Sequence, residues 1–278
     1  MNIIDAIIFG IVEGVTEYLP VSSTGHLLLT QKLLGLEFTG SVGDAGKAFI
    51  VWIQGGAILA VIWLYRTRFQ SLVRGIIGGD KEGRRLLLNL LVAFAPAAII
   101  ALLFERAIKQ HLFGLFPVVL AWFAGGVAIL VIAKFQEQKQ LRNENELENL
   151  TFRHAVIIGL LQCVAMWPGV SRSLITIVGG LVVGLRTQAA VEFSFLLGVV
   201  TLSAAAMYEV VAHGELLLLT FDLGNIATGF IISFVSAVLA VRWLVSYLTT
   251  HGFRLFGYYR IGIAIAVIVL VETGKISW

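Results

Sequence analysis

The sequence predicts an all-α integral membrane protein with six transmembrane helices and two re-entrant helical hairpins, arranged as an inverted-topology repeat. Its 278 residues are 58% hydrophobic and 13% charged, whereas soluble domains are about 45–50% apolar and about a quarter charged. The single cysteine, Cys163, excludes a disulfide scaffold, and a net charge of +3 is too small for a nucleic-acid partner. We therefore expect one membrane domain over residues 1–278.

Six segments are long enough to span a bilayer, since a helix needs about 20 mostly apolar residues to cross about 30 Å of hydrocarbon. They are Lys47–Tyr65, Leu86–Phe104, Leu112–Ala133, Ala189–Val211, Leu223–Leu248 and Leu255–Val271.

Two further apolar regions, residues 3–34 and 154–185, are interrupted by polar residues and by Pro20 and Pro168. Broken apolar helices are tolerated at membrane depth only where protein or water surrounds them. Each region is therefore predicted to be a re-entrant hairpin.

The order of hairpin and three spans occurs twice, which indicates a duplication. At an offset of 149 residues, Gly10 aligns with Gly159 and Ser22 with Ser171. An odd number of spans per half inverts the second copy, an arrangement that builds intramembrane sites for polar substrates. The predicted units are a first repeat over 1–133, a polar, solvated cytoplasmic linker over 134–153 and a second repeat over 154–278.

The loops predict the orientation, because cytoplasmic loops are rich in lysine and arginine. The two loops and the linker on one side carry eleven basic residues, and the two loops on the other side carry two. Both termini are therefore expected outside the cytoplasm.

The first polar constellation begins with Glu13 and Glu17, which lie on one face of a helix. Two like charges at that spacing destabilise a helix unless a cation offsets them. Carboxylates suit a hard ion, Mg²⁺ or else Ca²⁺. The alternative is a pair that reaches the membrane interface.

Beyond this pair, the run Ser22, Ser23, Thr24 and Gly25 is typical of a helix N-cap, whose free N–H groups bind anions. Ser23 and His26 are three residues apart and could present a nucleophile beside a base. A purely structural cap is the alternative.

The second constellation is Ser171, Arg172, Ser173 and Thr176, after Pro168. Arginine binds phosphate through two parallel hydrogen bonds, and the hydroxyls add donors. Arg172 must meet either an anionic ligand or the carboxylates of the first constellation.

Two glutamines are further candidates around this site. Gln54 is compatible with lining the site and with packing beside small residues, and Gln162 aligns with Glu13 in the repeat. Glu192 is predicted to lie at the interface. The remaining charged residues near spans are expected to form structural pairs: Glu209, Arg242, Arg260 and Glu272.

These motifs resemble the bacterial undecaprenyl-diphosphate phosphatases, also known as bacitracin-resistance proteins. Glu13-x-x-x-Glu17 matches the family's (E/Q)xxxE motif, and Leu19–His26 matches the stretch that follows it. Pro168–Thr176 matches the PGxSRSxxT motif at every fixed position.

The resemblance implies an enzyme of the bacterial cytoplasmic membrane that cleaves a C55 polyprenyl diphosphate to the monophosphate carrier and phosphate, which recycles the carrier for cell-wall synthesis and gives bacitracin resistance. It implies a site where the hairpins meet, open to the outer face, with a divalent cation and with functional residues Glu13, Glu17, Ser23, His26 and Arg172.

Sequence leaves the nucleophile open, since Ser23, His26 or a water activated by His26 could attack. The alternative function is an inverted-repeat transporter or flippase of an anionic lipid. Whether the chain is a monomer or a homodimer is also open.

Overall fold

The computed structural model describes residues 1–36, 40–139 and 145–277. Within these ranges the chain is helical, apart from turns and an isolated bridge between Asn145 and Leu185. The α-helices are α1 (Ile3–Thr16), α2 (Ser23–Leu33), α3 (Gly40–Leu64), α4 (Arg66–Ile76), α5 (Lys81–Leu112), α6 (Leu115–Lys139), α7 (Phe152–Gln162), α8 (Arg172–Val182), α9 (Thr187–Thr220), α10 (Leu223–His251) and α11 (Arg254–Glu272).

Six of these helices are long and apolar enough to cross a membrane, which confirms the all-α membrane class. Their apolar stretches are Gly43–Leu64, Lys81–Phe104, Leu115–Lys134, Thr187–Val210, Leu223–His251 and Arg254–Glu272. Each coincides with a predicted span to within a few residues.

The helix α5 begins five residues before the predicted span because Asp80 caps it. The N–H of Gly83 and the hydroxyl of Ser71 donate to the Asp80 carboxylate at 2.9 and 2.6 Å. These hydrogen bonds hold the pKa of Asp80 below its ordinary value.

The two regions predicted as hairpins are pairs of short helices, α1 with α2 and α7 with α8. We call residues 17–22 the first turn and residues 167–171 the second turn. The first helix of each pair starts with a capping box, at Asn2 and at Thr151. The second starts at a serine N-cap, Ser22 or Ser171.

The same offset of 149 residues relates the ends of these helices. Added to the bounds of α2, it gives the bounds of α8, and added to the start of α1 it gives the start of α7. Ser22 and Ser171, also 149 apart, have φ angles of 74° and 78° and are the only non-glycine residues in the described chain with positive φ. The serine caps that end the two turns therefore share one unusual backbone conformation.

Small residues let the first helix of each pair lie directly on a transmembrane helix. A Cβ at Gly14 of α1 would collide with the Ser233 carbonyl on α10. Gly159 of α7 lies equally close to the backbone of Ala93 on α5. Close backbone approach of this kind is how membrane helices associate without a hydrophobic driving force between them.

Two parts of the polar loops differ from the prediction. Residues 66–76 form the helix α4 rather than a loop, because their apolar residues recur at helical spacing. The linker is not wholly solvated, since Leu147 and Leu150 are buried in the core. Residues 140–144 of the predicted linker lie outside the described residues.

Ion pairs hold the linker against α4 and α9. Arg68 of α4 binds Glu148 of the linker at 2.8 Å and Glu192 of α9 at 2.6 Å. Glu192, predicted at the interface, therefore has a structural partner.

Candidate active site

The Glu17 carboxylate is the centre of a polar cluster that joins the two helix pairs. Its Oε1 accepts a hydrogen bond from Arg172 Nη2 at 2.9 Å, and its Oε2 accepts one from Ser23 Oγ at 2.5 Å. Glu17 lies in the first turn, and Ser23 and Arg172 are the first residues of α2 and α8. Ser23 of the first motif and Arg172 of the second thus meet at the carboxylate of Glu17, which the first motif also predicted.

Arg172 is held from three sides. Its Nη1 donates to the Ser194 carbonyl of α9 at 3.1 Å, and its guanidinium lies over the Tyr18 ring, 5.4 Å from the centroid. On the remaining side it passes Gly198 of α9, where any Cβ would collide with the guanidinium. Gly198 is therefore a positioning residue that the sequence analysis missed, because nothing local distinguishes it from the other glycines of the spans.

The start of α2 presents both a hydroxyl and free backbone donors. Ser22 caps the helix by accepting a hydrogen bond from the Gly25 N–H. The half-buried Ser23 and the exposed Thr24 are then the first two residues of α2. The first N–H groups of a helix have no partner within it and carry the positive end of its dipole. This end of α2 can therefore bind an anion.

The hydroxyls of the second motif hold α8 in place. Ser171 caps the helix, Ser173 Oγ donates to the Leu19 carbonyl at 2.9 Å, and Thr176 Oγ1 donates to the Arg172 carbonyl at 2.9 Å. Because these hydroxyls are already engaged, the side chain and the backbone N–H of Arg172 are the groups of α8 best placed for a ligand.

His26 does not pair with Ser23 in this structure, although the two residues share a helix. Its Nδ1 lies 2.7 Å from the Ser22 carbonyl, and its Nε2 lies 2.7 Å from the Tyr259 hydroxyl. A carbonyl can only accept, so Nδ1 carries the proton and Nε2 of the neutral ring accepts from Tyr259. Glu17, rather than His26, is the hydrogen-bond acceptor of Ser23.

Glu13 is fully buried one helical turn before Glu17, and neither of its oxygens has a hydrogen-bond partner of normal geometry in the described chain. Gln54 and Glu17 are its polar neighbours. An ionised carboxylate that is buried without donors is costly unless a proton or a cation neutralises it.

Glu13 therefore fits a divalent cation. The described residues form no cluster of three acidic, histidine or cysteine ligands, so other oxygens must complete the coordination. Mg²⁺ tolerates this, because it binds through one or two carboxylates together with waters and phosphate oxygens. The oxygens of Glu17, the other predicted ligand, are bonded to Arg172 and Ser23.

The Gln162 side chain lies on α7, at the position that matches Glu13 in the repeat. Its Nε2 donates to the Ala93 carbonyl at 3.4 Å, and its Oε1 is buried without a partner in the described chain. Its described hydrogen bond is to α5 and not to the Glu17 cluster.

Arg260 of α11 is fully buried and connects the two turns. Its guanidinium donates to five carbonyls, those of Pro20, Gly169, Val170, Ala121 and Trp122, over 2.8–3.4 Å. The expected structural pairing thus takes the form of a bridge between backbones rather than an ion pair with a described acid.

Comparison with known proteins matches residues 6–266 to the family described as bacitracin resistance protein BacA. The undecaprenyl-diphosphatase of Nitrosomonas europaea is 43% identical over 99% of this chain and 97% of its own. The undecaprenyl-diphosphatase of Nitrosospira multiformis and undecaprenyl-diphosphatase 2 of Rhodospirillum rubrum have the same identity and coverage.

Proposed function

This chain belongs to the bacitracin resistance protein BacA family, and from that premise we propose how its buried polar site performs phosphoryl transfer. The protein is an integral membrane phosphatase that hydrolyses undecaprenyl diphosphate to undecaprenyl phosphate and inorganic phosphate, which recycles the lipid carrier. The observation that supports the proposed mechanism is the joint contact of Ser23 and Arg172 with Glu17. Neither the family match nor the relatives' names favour the transporter alternative.

The diphosphate binds between the first residues of α2 and α8. Arg172 uses one N–H on Glu17 and one on Ser194, which leaves further donors of its guanidinium for phosphate oxygens. The N–H groups at the start of α2 contact the transferred phosphoryl group. Donors fixed in this way stabilise the charge that develops on the phosphoryl oxygens without reorganising during the reaction.

Ser23 is the nucleophile, as its contact with Glu17 supports. Its Oγ forms a bond to the terminal phosphorus while its proton moves to Glu17 Oε2, and the bond from that phosphorus to the bridging oxygen breaks. Undecaprenyl phosphate leaves with the bridging oxygen. Water then attacks the phosphorus of the phosphoserine, and the bond from phosphorus to Oγ breaks. Glu17 returns its proton to Oγ, which regenerates Ser23, and phosphate leaves with the oxygen and protons of the water.

Glu13 is the residue that would hold a divalent cation, with Glu17 as a second carboxylate when substrate rearranges the site. The ion supplies neutralisation of the diphosphate charge.

His26 acts on the site indirectly in this proposal. Its Nε2 is bonded to Tyr259, so a role as base for water or as nucleophile needs the ring to leave that partner. These two routes are the alternatives that the trapping experiment below separates.

We also propose how the helix pairs and the loops lie in the membrane. The two helix pairs are re-entrant hairpins of an inverted repeat, supported by the shared offset of their ends, and the basic loops lie in the cytoplasm. Both termini and the opening of the site then face the outer side. The proposal applies to a monomer and to a homodimer alike.

Phosphate release from a polyprenyl diphosphate by purified protein tests the site. We expect the phosphate release that wild type shows in Mg²⁺ to be lost in EDTA. Glu17→Ala and Arg172→Ala should each lower the rate of release at least about 100-fold, because each removes a group that acts in the transition state. Ser22→Gly is the control for the backbone of the first turn, since glycine accepts positive φ. Full activity in EDTA would refute the cation, and full activity of Arg172→Ala would refute the shared site.

Trapping the intermediate tests the nucleophile. Protein quenched during turnover at neutral pH, digested and analysed by mass spectrometry is expected to carry phosphate on Ser23, and Ser23→Ala to carry none. Phosphate on His26 would establish the histidine route. An unlabelled protein under single-turnover conditions would establish direct attack by water.

A further inference from the structure

The helix α4 has one face packed on the protein and an opposite face with no described partner. Leu72 and Gly75 are buried, and a Cβ at Gly75 would collide with the start of α5. The opposite face points away from the protein over about two helical turns. Its exposed residues recur at helical spacing and are Arg66, Gln70, Val73, Arg74 and Ile77.

A groove runs along this exposed face from the end of the α3 span. It has a volume of about 410 Å³ and is lined by Ile62, Arg66, Phe69, Gln70, Val73 and Arg74. On α3, Leu59 and Trp63 lie three positions before and one position after the groove residue Ile62, and both are 46% exposed. The two arginines thus line the groove together with Phe69 and Val73, next to the exposed apolar surface of α3. A phospholipid likewise combines a charged headgroup with apolar chains.

Neither arginine of the groove forms a salt bridge within the described chain, although Arg74 is near enough to Asp80 to attract its carboxylate. Arg68 of the same helix binds Glu148 and Glu192. Beyond Arg74, Ile76 and Ile77 are 69% and 79% exposed. A basic helix with exposed isoleucines, directly after a transmembrane span, is the type of helix that lies in a membrane interface.

We propose that the groove on α4 binds the headgroup of an anionic phospholipid, with its phosphate between Arg66 and Arg74. The acyl chains lie along Leu59 and Ile62 on the outer surface of α3. This lipid is distinct from the substrate, because the groove shares no residue with the Glu17 cluster. The apolar half of the groove favours a lipid over free phosphate, which would leave that surface exposed to water.

Lipid binding by the full-length protein in neutral detergent tests the proposal, with native mass spectrometry as the readout. The probes are phosphatidylglycerol, phosphatidylcholine with the same acyl chains, and inorganic phosphate as a competitor. Arg66→Gln with Arg74→Gln is compared with Lys81→Gln and Arg84→Gln, which removes the same charge from exposed positions outside the groove.

We expect the groove variant to bind phosphatidylglycerol about 30-fold more weakly, from about 1 kcal/mol for each of the two arginine contacts to the phosphate that are lost. The control variant and Arg66→Lys with Arg74→Lys should stay within about threefold of wild type. Phosphate release in detergent without anionic lipid should be unchanged in all variants, which establishes that they are folded.

Three results would overturn the proposal. An equal loss in the groove and control variants would mean that diffuse basic charge attracts the lipid. Equal affinity for phosphatidylcholine would remove the anionic specificity. Full displacement of phosphatidylglycerol by millimolar inorganic phosphate would mean that the groove binds a free anion rather than a lipid.

Discussion

Replacing Arg260 by methionine is expected to loosen both turns of the active site at once. The guanidinium donates to the Pro20 carbonyl in the first turn and to the Gly169 and Val170 carbonyls in the second. Methionine fills a similar volume but donates to none of them. Since Glu17 lies in the first turn and Arg172 directly follows the second, the distance between the two residues depends on the bridge.

The magnitude follows from the five hydrogen bonds. Each is worth about 1 kcal/mol net, or somewhat more for a charged donor, so their sum is about 5 kcal/mol. The substitution also removes a buried charge, which recovers part of this free energy because the burial of an ion is itself unfavourable. We expect a net loss of about 2–4 kcal/mol of stability. A displacement of about 1 Å in the reacting groups should lower kcat about 100-fold.

The assay compares thermal unfolding in detergent with kcat and KM for phosphate release. Arg260→Lys keeps the charge but concentrates its donors on one atom, so it should recover part of the stability while kcat stays at least about tenfold below wild type. Arg242→Met is the matched control, since this exposed arginine of α10 lies over the Trp63 ring. Wild-type kcat in Arg260→Met would refute the bridge as a positioning device.

Three further predictions concern single contacts. Gly198→Ala should lower kcat/KM at least about tenfold, measured by phosphate release, because the added methyl displaces Arg172. Tyr259→Phe should lower kcat at most about tenfold with KM unchanged, since His26 loses the donor to Nε2. Asp80→Asn should lower the unfolding temperature at neutral pH. The folded-state pKa of Asp80 is lowered, so its stabilising effect is present above the unfolded pKa of about 4 and is lost as the pH falls through the folded value. The two unfolding temperatures should therefore converge in acid.

Hydropathy predicted the six spans because hydrocarbon imposes a strict length and composition on a helix. Hydropathy did not predict α4. Its charged residues favoured a loop, whereas the helical spacing of its apolar residues makes it a helix. The buried leucines of the linker were missed for a similar reason, since its many polar residues outweighed two isolated apolar ones.

The candidate site divides in the same way. An arginine without a nearby acid must find a carboxylate or an anion, and Arg172 does contact Glu17. The spacing of Ser23 and His26 placed them on one helix face, but spacing cannot show that Tyr259, from a distant helix, binds the imidazole. The sequence shows that Arg260 is an arginine within an apolar span. Its partners could not be predicted, because they are backbone carbonyls and every residue has one.

The contact between Glu17 and Arg172 also has a consequence for biogenesis, because 155 positions separate the two residues. At synthesis rates of about 5–20 residues per second, the ribosome makes Arg172 about 10–30 s after Glu17. In the proposed re-entrant topology, α1 and the first turn hold two carboxylates at membrane depth without their arginine during this interval. Each of them that is charged costs at least about 2.5 kcal/mol. Stable integration of the amino-terminal helix pair therefore waits for the second half of the chain to emerge.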